Sequence, residues 1–207
     1  MHPVLENQIK GYSEPLVISL IENYFKENEA SNTYLQLLQE KKSPLIIDHV
    51  AIRCLNVDQR AREFTQLGYT CKNEIIEFRE QGWWAKIYRK ENRPALFIDQ
   101  DYTDTKGRNS PITPWVKMFG DKILHHVAVL VKSIDQSKKA MEQKGVEFSG
   151  NIIGAPGTRL RQIFTSAEIR NGSAFTVLEL TERNHYDGFY PEQADGLMKS
   201  SIITKTR

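Results

Sequence analysis

Two stretches of this chain read as copies of one another: Ile46-Ile-Asp-His-Val-Ala-Ile-Arg53 and Ile123-Leu-His-His-Val-Ala-Val-Leu130. Each reads as a strand. Side chains alternate across a strand, so His49, Ala51 and Arg53 share one face and Val50 and Ile52 the other. In the second copy His126, Ala128 and Leu130 face one way, and Val127 and Val129 the opposite way. A third run, Phe175-Thr-Val-Leu-Glu-Leu-Thr181, sets a carboxylate among β-formers, with Val177, Glu179 and Thr181 on one face. Two imidazoles and one carboxylate from such strands are the ligand set of a non-haem iron centre with open coordination positions.

The repeat extends beyond the histidines. Strand 45–55 leads into Asp58–Gly68, a helix expected to open on Asp58 as N-cap and close on Gly68. Three β-rich runs follow, at 69–78, 83–88 and 95–99. Strand 123–131 leads into Ser133–Gly145, capped and closed in the same manner. Strand-like runs then recur around 146–148, 160–166 and 175–181. Each half is therefore β-α-β-β-β, with strand starts about 78 residues apart. Residues 1–44 carry helical stripes at 15–25 and 34–38, ended by Pro44. The expected organisation is a helical segment 1–44, a first module 45–100, a linker 101–120, a second module 121–183 and a C-terminal helix or tail 184–207 that closes the site.

Two such modules resemble the vicinal-oxygen-chelate fold, also called the glyoxalase/dioxygenase fold. The resemblance implies an α+β protein whose paired βαβββ modules form an open curled sheet around a metal. Aligning Val177-Leu-Glu-Leu with Ala95-Leu-Phe-Ile sets Phe97 opposite Glu179. A four-ligand site of glyoxalase type would want a carboxylate there, and Phe97 cannot ligate. Three protein ligands leave about half of an octahedral shell open to a chelating substrate and dioxygen. A lone histidine in a strand is more often a core or surface residue than a ligand. Three coincident positions within a repeat reverse that preference. His125 competes with His126, but parity and the repeat favour His126; His2 and His185 are expected at the surface.

More specific stretches resemble the 2-oxoadipate dioxygenase/decarboxylase family, the hydroxyglutarate synthases. They are Asp48-His-Val-Ala-Ile-Arg53, Gly68-Tyr69, Trp84-Ala-Lys-Ile-Tyr88, Pro94-Ala-Leu-Phe-Ile98, His126–Asp135, Leu160-Arg-Gln-Ile-Phe-Thr-Ser166, Glu179 and Tyr186–Ser201. The resemblance implies Fe(II) on His49, His126 and Glu179, and a substrate carboxylate on Arg53. It also implies decarboxylation of a 2-oxo (di)carboxylic acid such as 2-oxoadipate, with O2, to a 2-hydroxy acid. The same donors accept Ni, Zn or Mn. Well-described members are longer, so substrate choice is less legible here than the ligand triad.

Other residues are less informative. Gln162 is a candidate contact to substrate or ligand, with a structural role equally open. Of Trp83 and Trp84, alternation lets one ring line a pocket. The Gly150–Gly157 stretch lacks a phosphate-loop pattern and reads as a turn. A formal charge of +2 does not argue for nucleic acid, and no window has the roughly 18 apolar residues of a membrane span. Two cysteines, Cys54 and Cys71, make neither a disulfide framework nor a zinc site, which points to a cytoplasmic home. Two functions compete with the dioxygenase: a non-catalytic ligand-binding barrel and a glyoxalase-type metal-dependent lyase or isomerase. Whether the N-terminal helices cover a sheet face or form a homodimer contact stays open at this level.

Overall fold

The computed structural model describes residues 1–72, 74–191, 193 and 196–198. The chain forms two compact units, His49–His125 and Met1–Asp48 with His126–Arg207. Among the described residues no helix is long and apolar enough to cross a membrane.

The unit His49–His125 holds most of β1 (Ile47–Arg53), α4 (Val57–Thr65), β2 (Ile75–Phe78), β3 (Trp83–Tyr88), β4 (Ala95–Asp101) and α5 (Ile112–Phe119). Its strands lie in the order β2-β3-β4-β1, with β1 parallel to β4. Val50, Ile52, Leu96 and Ile98 are fully buried, as are Val57 and Phe64 of α4. The helix starts two residues earlier than expected. Asn56 is its N-cap, accepting from Gln59 N at 2.8 Å, and Asp58 falls in the first turn, where it meets Lys86 at 2.6 Å. A side-chain oxygen at 56 reaches the exposed amides two and three residues on, which Asp58 cannot do from inside the turn. Segment 101–120, expected as a linker, contains a 3-10 turn (Thr105–Asn109) and α5. Asp101 anchors α5: its carboxylate accepts from the Ser110 hydroxyl and from Thr113 N.

The other unit contains α1 (Pro3–Ile9), α2 (Pro15–Glu27), α3 (Glu29–Glu40), β5 (His126–Leu130), α6 (Ile134–Glu142), β6 (Phe148–Ile153), β7 (Leu160–Thr165), β8 (Ile169–Arg170), β9 (Ser173–Ala174) and β10 (Val177–Arg183). Its main strands run β5-β10-β7-β6, with β5 parallel to β10, and β8 and β9 pair separately. Ser133 caps α6 as the sequence suggests, and Gly145 ends it at φ +87°. Within the Gly150–Gly157 stretch, Gly154 sits where a Cβ would come within 2.4 Å of Leu160 O, so it serves a tight turn against β7.

The N-terminal helices belong to this second unit. The Tyr24 hydroxyl donates to Val177 O at 2.5 Å, and Asn28 Nδ2 donates to Thr176 Oγ1 at 3.1 Å. Asn28 Oδ1 also caps α3 through Ser31 N at 2.8 Å, so one buried amide fastens both the helix start and the sheet. Asn28→Ala loses a cap and a buried link together and is expected to cost about 2 kcal/mol, read as a lowered urea midpoint at constant m-value.

Candidate metal centre

In the second unit the site grows from strand register. β10 lies between β5 and β7, with Val177 beside His126, Glu179 beside Ala128, Phe164 opposite Glu179 and Gln162 opposite Thr181. These side chains share one face. Glu179 is 1% exposed, and a buried carboxylate is costly unless donors compensate it. Gln162 Nε2 donates to its Oε1 at 2.6 Å and the Thr181 hydroxyl donates to the same oxygen at 2.7 Å. The other oxygen, Oε2, lies 3.5 Å from His126 Nε2. Two donors on Oε1 hold the carboxylate plane, and Oε2 is the atom turned toward the imidazole. The His126 ring rests on Phe164 with centroids 5.1 Å apart. Gln162 is thus engaged by the carboxylate, a role that β7–β10 pairing assigns and sequence spacing does not reveal.

The tail meets this face from within the same unit. Leu197 joins Phe164 and Val177 in a buried cluster flanked by Ile153. Arg183, at the end of β10, forks onto Asp48 at 2.6 and 2.9 Å and donates to Tyr186 O and Gly188 O at 2.9 and 2.8 Å. The remainder of the expected tail, residues 192, 194, 195 and 199–207, lies outside the described residues.

The first unit repeats the register with different residues. His49 pairs with Ala95, Ala51 with Phe97 and Arg53 with Asp99. Phe97 therefore occupies the place on β4 that Glu179 has on β10. The His49 ring lies against Phe97, centroids 4.8 Å apart, so each unit seats its imidazole on a phenyl ring. Arg53 is four residues from His49, about 13 Å along the strand. It is buried, and its guanidinium stands 5.4 Å from the Trp115 ring of α5. Burial lowers Arg53 to about 10, with Asp99 and Asp101 pulling it back up. Burial raises Asp99 to about 7, against the pull of Arg53 and His49. Trp83 stacks on Phe78 at 3.7 Å, whereas Trp84 projects oppositely and meets Lys86 at 5.7 Å.

The remaining histidines take other work. His125 stands edge-on to Trp115 at 5.6 Å, His2 caps α1 through Val4 N, and His185 is exposed at φ +51°. Among the described residues, His126 and Glu179 are buried donors of the second unit and His49 is a buried imidazole of the first, each of a type that ligates metal ions. The donor chemistry fits. Two imidazoles and a carboxylate suit a divalent transition metal, and the clamp on Glu179 Oε1 is the kind of outer hydrogen bonding that orients a ligating carboxylate.

No family model matches the sequence, and no curated protein matches it. Solved structures do match. The hydroxyglutarate synthase of Oryza sativa, determined with 2-oxoadipate, superposes with TM-score 0.77 at 18% identity, covering 95% of this chain and 94% of its own. A Shewanella frigidimarina protein assigned as a hydrolase gives 0.70 at 20% identity, covering 84% and 96%. A Ralstonia eutropha protein assigned to the glyoxalase superfamily gives 0.62 at 12%, covering 83% and 82%. The fold is of the vicinal-oxygen-chelate type. In vicinal-oxygen-chelate terms, the two βαβββ units are its paired modules and the N-terminal helices are an addition to the second.

Proposed function

We propose that this chain is a metal-dependent dioxygenase/decarboxylase of a 2-oxo acid, with His49, His126 and Glu179 as the ligands of Fe(II). The observation that carries the reading is the clamped carboxylate: Gln162 and Thr181 hold Glu179 Oε1 while Oε2 turns to His126. Fe(II) held there would supply the coordination of a 2-oxo acid together with the reduction of dioxygen. The chain's own residues orient and shield. Gln162 and Thr181 fix the carboxylate, Phe97 and Phe164 keep water from the imidazoles, and Arg53 stands further along the His49 face toward the far end of a substrate. Phe97, in place of a fourth ligand, argues against the glyoxalase-type lyase. The similarity to a fold that holds 2-oxoadipate supports a 2-oxo acid substrate. The overall change balances as loss of the substrate carboxyl as CO2, with one oxygen atom of O2 entering the new carboxylate and the other the adjacent CH2.

Anaerobic reconstitution tests this directly. One Fe(II) per wild-type chain, lost in His49→Ala, with O2 uptake matched one-to-one by CO2 release on adding a 2-oxo acid, is the expected result. A wild type that holds no metal tightly would sink the reading and leave a ligand-binding barrel.

A further inference from the structure

The face that carries His49 ends in a charged pair that the other module lacks. Arg53 and Asp99 are partners in the β1–β4 register and share that face; the equivalent residues of the second module are the uncharged Leu130 and Thr181. The fold therefore does not require charge at this position. Both are buried, Asp99 at 2% exposure. Asp101, one pleat further on, is occupied by Ser110 and the start of α5. Asp99 Oδ1 accepts no hydrogen bond among the described residues, although a buried carboxylate oxygen ordinarily has a donor. The Cys54 amide and thiol engage only the backbone carbonyl of Asp99.

Resting on the function proposed above, we infer that the far end of the substrate is a neutral group that both accepts and donates hydrogen bonds, and that Asp99 selects it. A carboxamide or a hydroxyl fits, and a second carboxylate does not. The guanidinium is already balanced by Asp99, so a distal carboxylate would enter beside a like charge with no donor for Asp99 Oδ1. A carboxamide satisfies both partners: its oxygen accepts from Arg53 and its NH2 donates to Asp99. Sites built to hydrogen-bond a substrate donor discriminate strongly against analogues lacking it, because their buried polar atoms are left unpaired.

Isothermal titration of the anaerobic Fe(II)-loaded protein with 2-oxoadipate, its 6-carboxamide and pyruvate tests the inference without turnover. At pH 8 the carboxamide should bind wild type at least tenfold more tightly than 2-oxoadipate, and Asp99→Asn should close that gap. Equal or tighter binding of 2-oxoadipate to wild type overturns the inference, and iron-dependent pyruvate binding would then leave the iron reading standing. If none of the three ligands binds, both fall. The wild-type comparison stands even if the variant does not fold.

Discussion

Glu179→Gln is expected to abolish the stabilisation that Fe(II) gives the protein while leaving the metal-free chain at least as stable as wild type. The two halves of this expectation have separate causes. An ion at 100 times its dissociation constant stabilises the native state by about 2.7 kcal/mol. For a chain of this size that is a rise of about 5–10 °C in melting temperature. Removing the one anionic ligand removes that term. In the metal-free chain, however, the substitution keeps the hydrogen bonds: the amide oxygen still accepts from Gln162 and Thr181, and the new NH2 can donate to His126 Nε2. It also relieves the cost of a buried charge. A purely structural Glu179 would show the reverse, an unstable metal-free variant that still responds to metal. Paired thermal melts with and without Fe(II), under argon, separate the two. Gln162→Leu should fall between, weakening metal binding about 10–100-fold, because it frees the carboxylate to rotate without removing it.

Arg183→Ala is expected to destabilise the protein by about 3–5 kcal/mol, the range for breaking a buried ion pair from one side. The side chains of Arg183 and Asp48 are 9% and 12% exposed, and the fork leaves little for solvent to replace. The same guanidinium holds two tail carbonyls and lies 4.5 Å from the Phe189 ring, so its loss also releases the start of the tail. Arg183→Lys should recover little, since an ammonium cannot match a carboxylate bidentately. Pairing Arg183→Ala with Asp48→Asn should cost less than Arg183→Ala alone, because the stranded carboxylate is then gone. Urea denaturation gives all three differences. A loss below about 1 kcal/mol for Arg183→Ala would mean that the pair behaves as an exposed one.

Much of the fold and of the candidate site was legible before any coordinates. Strand alternation is a local property, so the shared face of His49, Ala51 and Arg53 and that of Val177, Glu179 and Thr181 follow from parity alone. The repeat then set His49 against His126 and Phe97 against Glu179, and the parallel registers of β1–β4 and β5–β10 are equivalent in this way. Helix periodicity placed α2, and the Ser133 cap with the closing Gly145 placed α6, for the same reason. By contrast, α5 was hidden in a segment whose Asp, Thr, Gly and Pro content reads as a loop, although Asp101 and Ser110 of that same segment nucleate the helix.

The contacts that give the site its chemistry lay beyond local reasoning. Gln162 reaches Glu179 through antiparallel register, Arg53 is set beside Asp99 in the β1–β4 register across 46 positions of chain, and Arg183 finds Asp48 across 135. Nothing at these positions differs from ordinary polar residues in a strand or at a strand end. By itself the sequence determined the two repeated modules, the strand faces on which His49, His126 and Glu179 lie, and the equivalence of Phe97 and Glu179, because those depend on spacing within single strands. Only the tertiary structure decided which oxygen of Glu179 is clamped and which acid balances Arg53. It also decided that the N-terminal helices pack with the second module. Register between strands joined through helices is set by how the whole core packs, and no run of neighbouring residues encodes it.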